Sequence, residues 1–302
     1  MKRIILAVFL FSFLGSSAQV LDPEYGPRAW KKENTKQENP IVLPHVREAD
    51  VMWAERIWRT IDLRQKENLP IYYPLKEQTQ GKRSFVQIVY DMLNNPKSKL
   101  KAYETYELKT EIPREKAIGL FAASVEYDSL VFDDNGVCQD KVKNMYHMDF
   151  SKVKPEIVKI HLMEDWFFDK QRSVMDVRIL ALAIEIPIFI INETQTYCDG
   201  TGQDEIVFGG WKKAGGNQNI WFFFPDLRKE MAANECYERH NDGGRISYDD
   251  IFLKRMFASY IVRNENVYDR YINEYTSGLR ALLEAKRIKD KIRNFEMNLW
   301  QY

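Results

Sequence analysis

The sequence predicts an α+β fold: a mostly antiparallel central sheet flanked by amphipathic helices, with an extended N-terminal arm and a long C-terminal helix. Three observations predict it. Hydrophobic residues recur at helical spacing near both ends of the chain, they alternate with a period of two between about 155 and 224, and turn-forming residues separate the alternating segments. The 302 residues are 45% hydrophobic, enough to bury a substantial core.

The chain begins with MKRIILAVFLFSFLGSSAQV, in which two charged residues precede an apolar stretch and a small-x-small site at Ser16 and Ala18. This pattern predicts a secretory signal over residues 1–18 and therefore an exported protein. The apolar stretch is too short to span a bilayer, and no cysteine lies near the cleavage site to carry a lipid. We therefore expect an exported protein without a membrane anchor of its own.

Residues 19–47 hold four of the eleven prolines, with isolated apolar side chains between them. Proline fixes φ and biases the residue before it toward extended backbone, so the composition predicts an extended arm. Two interpretations stay open. The arm is either a disordered leader or a segment that docks on a neighbouring subunit through Leu21, Trp30 and Val42.

The α+β domain is expected over residues 48–302, and its first element is predicted to be a helix over 48–68. The helical spacing rests on Val51, Ala54, Ile57, Trp58 and Ile61. A second helix is predicted to begin after Ser84, which forms a capping-box pattern with Gln87, and to end at the Asn-Asn-Pro sequence of 94–96.

The central part of the domain is predicted to form strands. The segments with strand character are PEIVKIHLM, DVRILALAI, IPIFII, EIVFGGW and NIWFFFP. The segments CDGTGQD and KAGGNQ are rich in turn residues and are expected to connect strands. The hydrophobic residues expected in buried clusters are Trp53, Trp58, Phe85, Val158, Ile160, Trp166, Phe167, Trp221 and Phe223.

Two helices are predicted after the sheet. Ser247 and Asp250 cap the first, whose shared apolar face is expected to hold Phe252, Met256, Phe257, Tyr260 and Ile261. The second runs over about 25 residues with apolar side chains at three-four spacing from Tyr275 to Leu299. Its basic residues Lys286, Arg287 and Lys289 are the candidate partner contacts, although a solvated face is the default interpretation of such a run.

Charge and cysteine content exclude several classes of protein. Lys and Arg number 44, as do Asp and Glu, and loss of the signal would leave a net charge near −2 (42 against 44), which gives no footprint for nucleic acid. The three cysteines, Cys138, Cys198 and Cys236, allow at most one internal disulfide and match no metal or redox spacing. The sequence leaves their pairing open.

No motif for a metalloprotease, a phosphate-binding loop, a serine hydrolase elbow or a dinucleotide site is present. The four histidines, His45, His147, His161 and His240, lie far apart, and a structural or solvated role is favoured for each. His240 and Asp242 lie in a glycine-ending segment that is typical of a polar turn. We therefore predict no catalytic residue, no cofactor and no metal.

The stretch EDWFFDKQRS holds the most site-like acid pair, Asp165 and Asp169. In a strand these residues would share a face about 13 Å apart, which exceeds the separation a glycosidase needs. Lys170, Arg172 and Arg178 are nearby partners that would keep the carboxylates ionised. The stretch is therefore predicted to be a core strand and turn.

Four longer strings resemble the GldN/PorN family of gliding-motility and type IX secretion proteins. They are WRTIDLRQKENLPIYYP, EDWFFDKQRSVMDVRI, FFFPDLRKEMA and NVYDRYINEY, and the resemblance covers about residues 48–302. It implies a non-catalytic periplasmic subunit at the inner face of the outer membrane. It also implies a ring with copies of itself and the outer-membrane lipoprotein GldK/PorK, and contact with the motor-shaft protein GldM/PorM. The alternative is a periplasmic module that binds or hydrolyses cell-wall glycan.

Overall fold

The computed structural model describes residues 39–76, 82–123, 125–132, 138–146, 148–191, 211–237 and 245–299, with 125–146 described by backbone alone. All of them belong to a unit that spans residues 37–302. The predicted signal, the first part of the arm with Leu21 and Trp30, and the side chains of Cys138, Cys198, His147, His240 and Asp242 lie outside the described residues.

The described residues form nine strands, eight α-helices and three single-turn 3-10 helices. The strands are β1 Val51–Asp62, β2 Ala102–Tyr103, β3 Glu111–Ile112, β4 Val125–Phe132, β5 Cys138–Tyr146, β6 Lys159–Asp169, β7 Val174–Ile191, β8 Trp211–Phe223 and β9 Tyr260–Asn264. The helices are α1 Leu69–Tyr72, α2 Phe85–Asn94, α3 Arg114–Phe121, α4 Phe150–Val153, α5 Phe224–Ala233, α6 Tyr248–Leu253, α7 Ile272–Tyr275 and α8 Leu279–Leu299.

Seven strands form one sheet in the order β3-β2-β8-β7-β6-β1-β9, while β4 and β5 pair separately as a hairpin. Every strand pair is antiparallel. The predicted α+β class, the antiparallel sheet and the long C-terminal helix are therefore confirmed. None of the helices in the described part of the chain is long and apolar enough to cross a bilayer.

The first predicted helix is wrong, because residues 51–62 form strand β1. Ile57 and Trp58 are both buried, but on opposite faces of the sheet, and they belong to different hydrophobic clusters. A strand that is buried on both faces places apolar residues next to each other and four apart, which imitates a helical stripe. Pairing with β6 on one side and β9 on the other fixes the extended form.

The helix predicted after Ser247 is shorter than expected. Ser247 and Asp250 form the reciprocal capping box at its start, as predicted, but α6 ends at Leu253. Arg255 then adopts a left-handed conformation with φ of 55°, which ends the helical backbone. Residues 260–264 therefore become the edge strand β9 rather than the last turns of a helix.

Helix α2 matches its prediction in both position and cap. The Ser84 hydroxyl accepts a hydrogen bond from the Gln87 backbone N–H at 3.3 Å, and the helix ends at Asn94. The Gln87 side chain does not complete a capping box, because its amide donates to Asp91 Oδ1 at 2.9 Å.

The predicted strands DVRILALAI and IPIFII form one 18-residue strand, β7. The C-terminal end of β7 extends beyond its pairing with β6. Residues 186–191 pair only with 211–218 of β8, which gives a two-stranded extension that we call the β7–β8 ribbon. The predicted turn KAGGNQ is wrong, since it lies within β8. Gly215, with φ of 80°, lies where the pairing register shifts, so the glycines form a bulge instead of a turn.

Three hydrophobic clusters organise the unit. The main core lies between the sheet and helices α1 to α6 and includes Phe85, Phe222 and Tyr248. The α8 core consists of Ile57, Ile261, Ile272, Ala285, Ile288 and Ile292. The outer-face cluster consists of Trp58, Met163, Ala181, Ala183 and Trp221.

Most residues that we expected to be buried are buried or half-buried. Phe223 is the exception: its side chain is 38% exposed at the end of β8, so that prediction is wrong. The reason is local, because the next residue, Phe224, begins α5 and takes the buried position instead.

Candidate partner-binding surface

The stretch EDWFFDKQRS lies in a strand and turn, as predicted, and both carboxylates of its acid pair are paired with arginines. Asp165 accepts two hydrogen bonds from the Arg56 guanidinium, at 2.6 and 2.9 Å. Asp169 accepts from Arg172 Nε at 2.6 Å and from the backbone N–H groups of Gln171 and Arg172, and these bonds lower the pKa of the Asp169 carboxyl. The sequence indicated Arg172 correctly but could not indicate Arg56, which lies on the neighbouring strand.

The arrangement that most resembles an active site is a row of three side chains across β1, β6 and β7. Thr60 Oγ1 lies 2.9 Å from His161 Nδ1, and His161 Nε2 lies 3.0 Å from Glu185 Oε2. The bond to His161, followed by that to Lys159, lowers the pKa of Glu185. Thr60 is only 1% exposed, however, so its hydroxyl could not reach a substrate. The row is best explained as cross-strand hydrogen bonding.

A hollow with cationic walls lies between α8 and the edge strand β9. We call it the α8 hollow, and its volume is about 380 Å³. The residues that line it are Arg59, Ser259, Tyr260, Ile261, Leu282, Ala285, Lys286, Lys289, Asp290 and Arg293. The three-four spacing of α8 brings its contributing residues onto one side of the helix.

The charges in the α8 hollow are unequally satisfied. Arg293 pairs with Asp290 at 3.0 Å, and Arg59 lies 3.4 Å from Glu164 while donating to the Ser259 hydroxyl. Burial lowers the pKa of Arg59, and Glu164 opposes that effect. By contrast, Lys286 and Lys289 are exposed and form no ion pair with any described residue. The hollow therefore presents two unneutralised ammonium groups.

The structure separates the three basic residues singled out from the sequence. Lys286 and Lys289 line the hollow, but Arg287 does not. Its guanidinium donates to both oxygens of Glu284, at 2.6 and 2.8 Å, which raises the pKa of Arg287 and lowers that of Glu284. A surface pair of this kind leaves Arg287 less available to a partner than the two lysines.

The apolar side chains along α8 are only partly buried. Ala285, Ile288 and Ile292 are buried, but Leu279 and Leu282 are 72% and 60% exposed. The apolar residues that recur at three-four spacing along α8 therefore do not form one continuous buried stripe. In the first turns of α8, Leu282 lines one wall of the α8 hollow although most of its side chain stays in solvent.

The last part of the predicted arm is described and runs across the domain. Arg228 Nη2 donates to the Ile41 carbonyl at 2.8 Å, and Arg178 Nη2 donates to the Pro44 carbonyl at 3.1 Å. Between these anchors the side chain of Val42 is 90% exposed. We call residues 40–44 the strap.

The strap and the α8 hollow depend on arginines that sequence analysis missed. Arg228 pairs with Asp249 through two 2.9 Å bonds and is buried, as is Arg59. The only signal in the sequence was a charged residue among apolar neighbours in a predicted helix or strand. Such a residue is usually solvated, so the signal does not distinguish an anchor from a surface charge.

The described residues hold no cluster of three or more side chains that could bind a metal ion. Cys236 is buried, and its thiol donates to the Pro70 carbonyl at 3.0 Å. The side chains of Cys138 and Cys198 lie outside the described residues.

Comparison with known families supplies the missing context. A family model described as gliding motility associated protein GldN matches residues 46–301. The chain belongs to the GldN family. The match includes the whole sheet and the α8 hollow, and it begins two residues after the strap. Membership makes the protein a component of the gliding-motility and type IX secretion machinery. A comparison with curated proteins finds no match.

Proposed function

We propose that this GldN-family protein is a non-catalytic periplasmic subunit that forms a ring with copies of itself and an outer-membrane lipoprotein of the GldK/PorK type. In the same proposal it contacts the periplasmic part of a GldM/PorM-type motor shaft. Residues 1–18 act as a cleaved export signal, residues 19–47 as an arm whose part before the strap orders on a partner, and residues 48–302 as the assembly domain. Family membership supports this role.

One observation carries the proposal for a partner contact: the two unneutralised lysines of the α8 hollow stand beside exposed leucines. Lys286 and Lys289 offer charge to an acidic side chain, and Leu282 and Leu283, 60% and 56% exposed, offer apolar contact around it. Interfaces combine these parts in this way, since apolar anchors supply affinity and charge sets orientation and association rate. We assign the α8 hollow to an acidic segment of the lipoprotein.

The test is a charge reversal confined to the hollow. In the variant Lys286→Glu/Lys289→Glu the apolar stripe of α8 is untouched, so circular dichroism and the melting temperature should stay near wild type. Co-purification of the lipoprotein from envelope extracts should fall, and secretion of type IX cargo should fall with it. The loss should be greatest at low salt, because screening weakens surface electrostatics as ionic strength rises.

Two matched variants separate the hollow from charge in general. Lys97→Glu/Lys99→Glu makes the same change in net charge at exposed positions elsewhere, and Arg287→Glu changes the neighbouring face of α8. Both should retain the lipoprotein. If Lys286→Glu/Lys289→Glu retains it as well, the basic residues of α8 are merely solvated and the interface lies elsewhere.

The alternative, a module that binds or cleaves cell-wall glycan, rests on the row Thr60, His161 and Glu185. It would also need exposed tryptophans, whereas the tryptophans among the described residues are all buried or half-buried. Purified protein incubated with peptidoglycan distinguishes the two proposals. We expect neither cleavage nor sedimentation with the polymer; cleavage that His161→Asn abolishes would favour the alternative.

A further inference from the structure

An extended aliphatic segment is held with its side chains outward. Pro40 and Pro44 bracket the strap, and the aliphatic residues between them, Ile41, Val42 and Leu43, are 61%, 90% and 38% exposed. Consecutive exposed aliphatic residues are costly in water, because each would gain free energy on burial. The strap nevertheless keeps them there.

Two buried or half-buried arginines fix the strap through its main chain. Arg228 is paired with buried Asp249 through Nε and Nη2, and Nη2 also donates to the Ile41 carbonyl. Arg178, whose side chain is 15% exposed, holds the Pro44 carbonyl and stacks over the Phe167 ring at 5.9 Å. Because the backbone is fixed before any partner arrives, binding through these side chains would cost little conformational entropy.

An apolar groove lies elsewhere on the same unit, between α3 and the base of the β7–β8 ribbon. Its volume is about 540 Å³. The residues that line it are Glu115, Lys116, Gly119, Leu120, Ala123, Ile186, Pro187, Ile188, Phe189 and Gln218. Only three of these are polar, which suits aliphatic side chains better than a small polar ligand, since such ligands need convergent polar groups. Ile188 remains 42% exposed at the groove.

The strap does not fill the groove of its own chain. None of its residues lines that groove, and the bonds from Arg228 and Arg178 hold the strap at another part of the domain. A projecting apolar segment and an apolar groove at two different places on one chain are the two halves that a head-to-tail contact between copies requires. Contacts of this type propagate, and they produce rings when the rotation closes.

We propose that the strap of one copy, through Ile41, Val42 and Leu43, inserts into the groove between α3 and the β7–β8 ribbon of a second copy. This inference rests on the proposed assembly role and supplies the contact between copies within it. It is independent of the α8 hollow, which faces the lipoprotein in that proposal.

The experiment is photo-crosslinking between copies. A benzoylphenylalanine replaces Val42 in unlabelled full-length protein, which is mixed with ¹⁵N-labelled wild-type protein, irradiated and mapped by mass spectrometry. Crosslinks should join position 42 to labelled peptides that contain residues 115–123 or 186–189. The matched control carries the same group at Val267, which is 98% exposed on another part of the chain and should not mark these peptides.

A second pair of variants tests the acceptor. Ile188→Asp in the labelled protein should lower the yield at the groove about tenfold or more, because it places a carboxylate against the aliphatic strap. Ile190→Asp, equally exposed on the ribbon but outside the groove, should leave the yield unchanged.

The outcomes are decisive in either direction. Crosslinks confined to one chain, crosslinks to other surfaces, an absence of crosslinks, or an equal response of the two aspartate variants would each overturn the strap contact. Loss of this contact with lipoprotein capture intact would leave the proposed function in place. Loss of lipoprotein capture in the lysine variant with strap crosslinks intact would affect only the α8 hollow.

Discussion

The main core and the α8 core lie on one face of the same sheet but differ greatly in size. Along β1, alternate residues share a face, so Ile57, Arg59 and Ile61 point to the same side. Ile57 belongs to the α8 core and Ile61 to the main core, while Arg59 between them is paired with Glu164. One strand therefore passes from a small apolar cluster, through a buried ion pair, to a large one.

The buried Glu164, with Arg59 and Arg255, separates the two cores and makes several charged contacts. Glu164 is fully buried and accepts from Arg255 at 3.0 and 3.1 Å, from Trp166 Nε1 at 3.1 Å, and lies 3.4 Å from Arg59. Arg255 also stacks over the Trp166 ring at 5.3 Å. Buried ion pairs add little net free energy of folding, because the cost of desolvating both charges offsets their attraction. Helix α8 is therefore attached to the domain by a small separate core rather than embedded in the main one.

The largest effect is expected in the main core. Phe222→Ala removes a fully buried ring and should lower the free energy of unfolding by about 3–5 kcal/mol, through lost burial and the cavity left behind. Urea denaturation followed by circular dichroism measures it. Amide exchange should speed up across the whole unit, α8 included. A loss of amide protection confined to β8 would contradict the view that the main core holds the unit together.

An intermediate and local effect is expected in the α8 core. Ile288→Ala removes a side chain that is 1% exposed and should cost about 2 kcal/mol, at the low end for such a truncation because the cluster is small. The rate of amide exchange should increase more in α8 than in β6 and β7. Leu283→Ala, at a 56% exposed position of the same helix, is the control and should change nothing. An equal loss of amide protection in every element would show that the two cores unfold as one cooperative unit.

The smallest effect concerns pH at the start of α8. The Arg287 hydrogen bonds hold the pKa of Glu284 below its ordinary value of 4.5. A depressed carboxyl pKa stabilises the folded state above that ordinary value, and the benefit is lost as pH falls through the folded-state pKa. Glu284→Gln should therefore reduce α8 protection by a few tenths of a kcal/mol at neutral pH and by nothing in acid. A difference that persists in acid would show that the pair is not its source.

Much of the architecture followed from local sequence. The capping residues Ser84 and Ser247 fixed where two helices begin, because a hydroxyl before a helix satisfies backbone N–H groups whatever surrounds it. The alternation of Ile160 and Leu162 with polar neighbours predicted β6. Asp165 and Asp169 were correctly interpreted as structural from their spacing.

Other features were decided by tertiary structure alone. Residues 51–62 have helical spacing in the sequence and became a strand because their two faces meet different clusters, and periodicity cannot distinguish one wide stripe from two opposite faces. The Gly215 and Gly216 turn signal became a bulge because β7 continued alongside it.

The candidate surfaces show the same division. The sequence by itself determined family membership, the helical stripe of α8 and its basic residues, since these are properties of neighbouring residues. The pairing of Arg287 with Glu284, three positions earlier on α8, is also a local contact. Only the tertiary structure brought Arg59 into the hollow that Lys286 and Lys289 line. It also turned Val42 outward by bonding the strap's carbonyls to Arg178 and Arg228. Contacts between residues more than a hundred positions apart decided these outcomes, and local patterns carry no information about such partners.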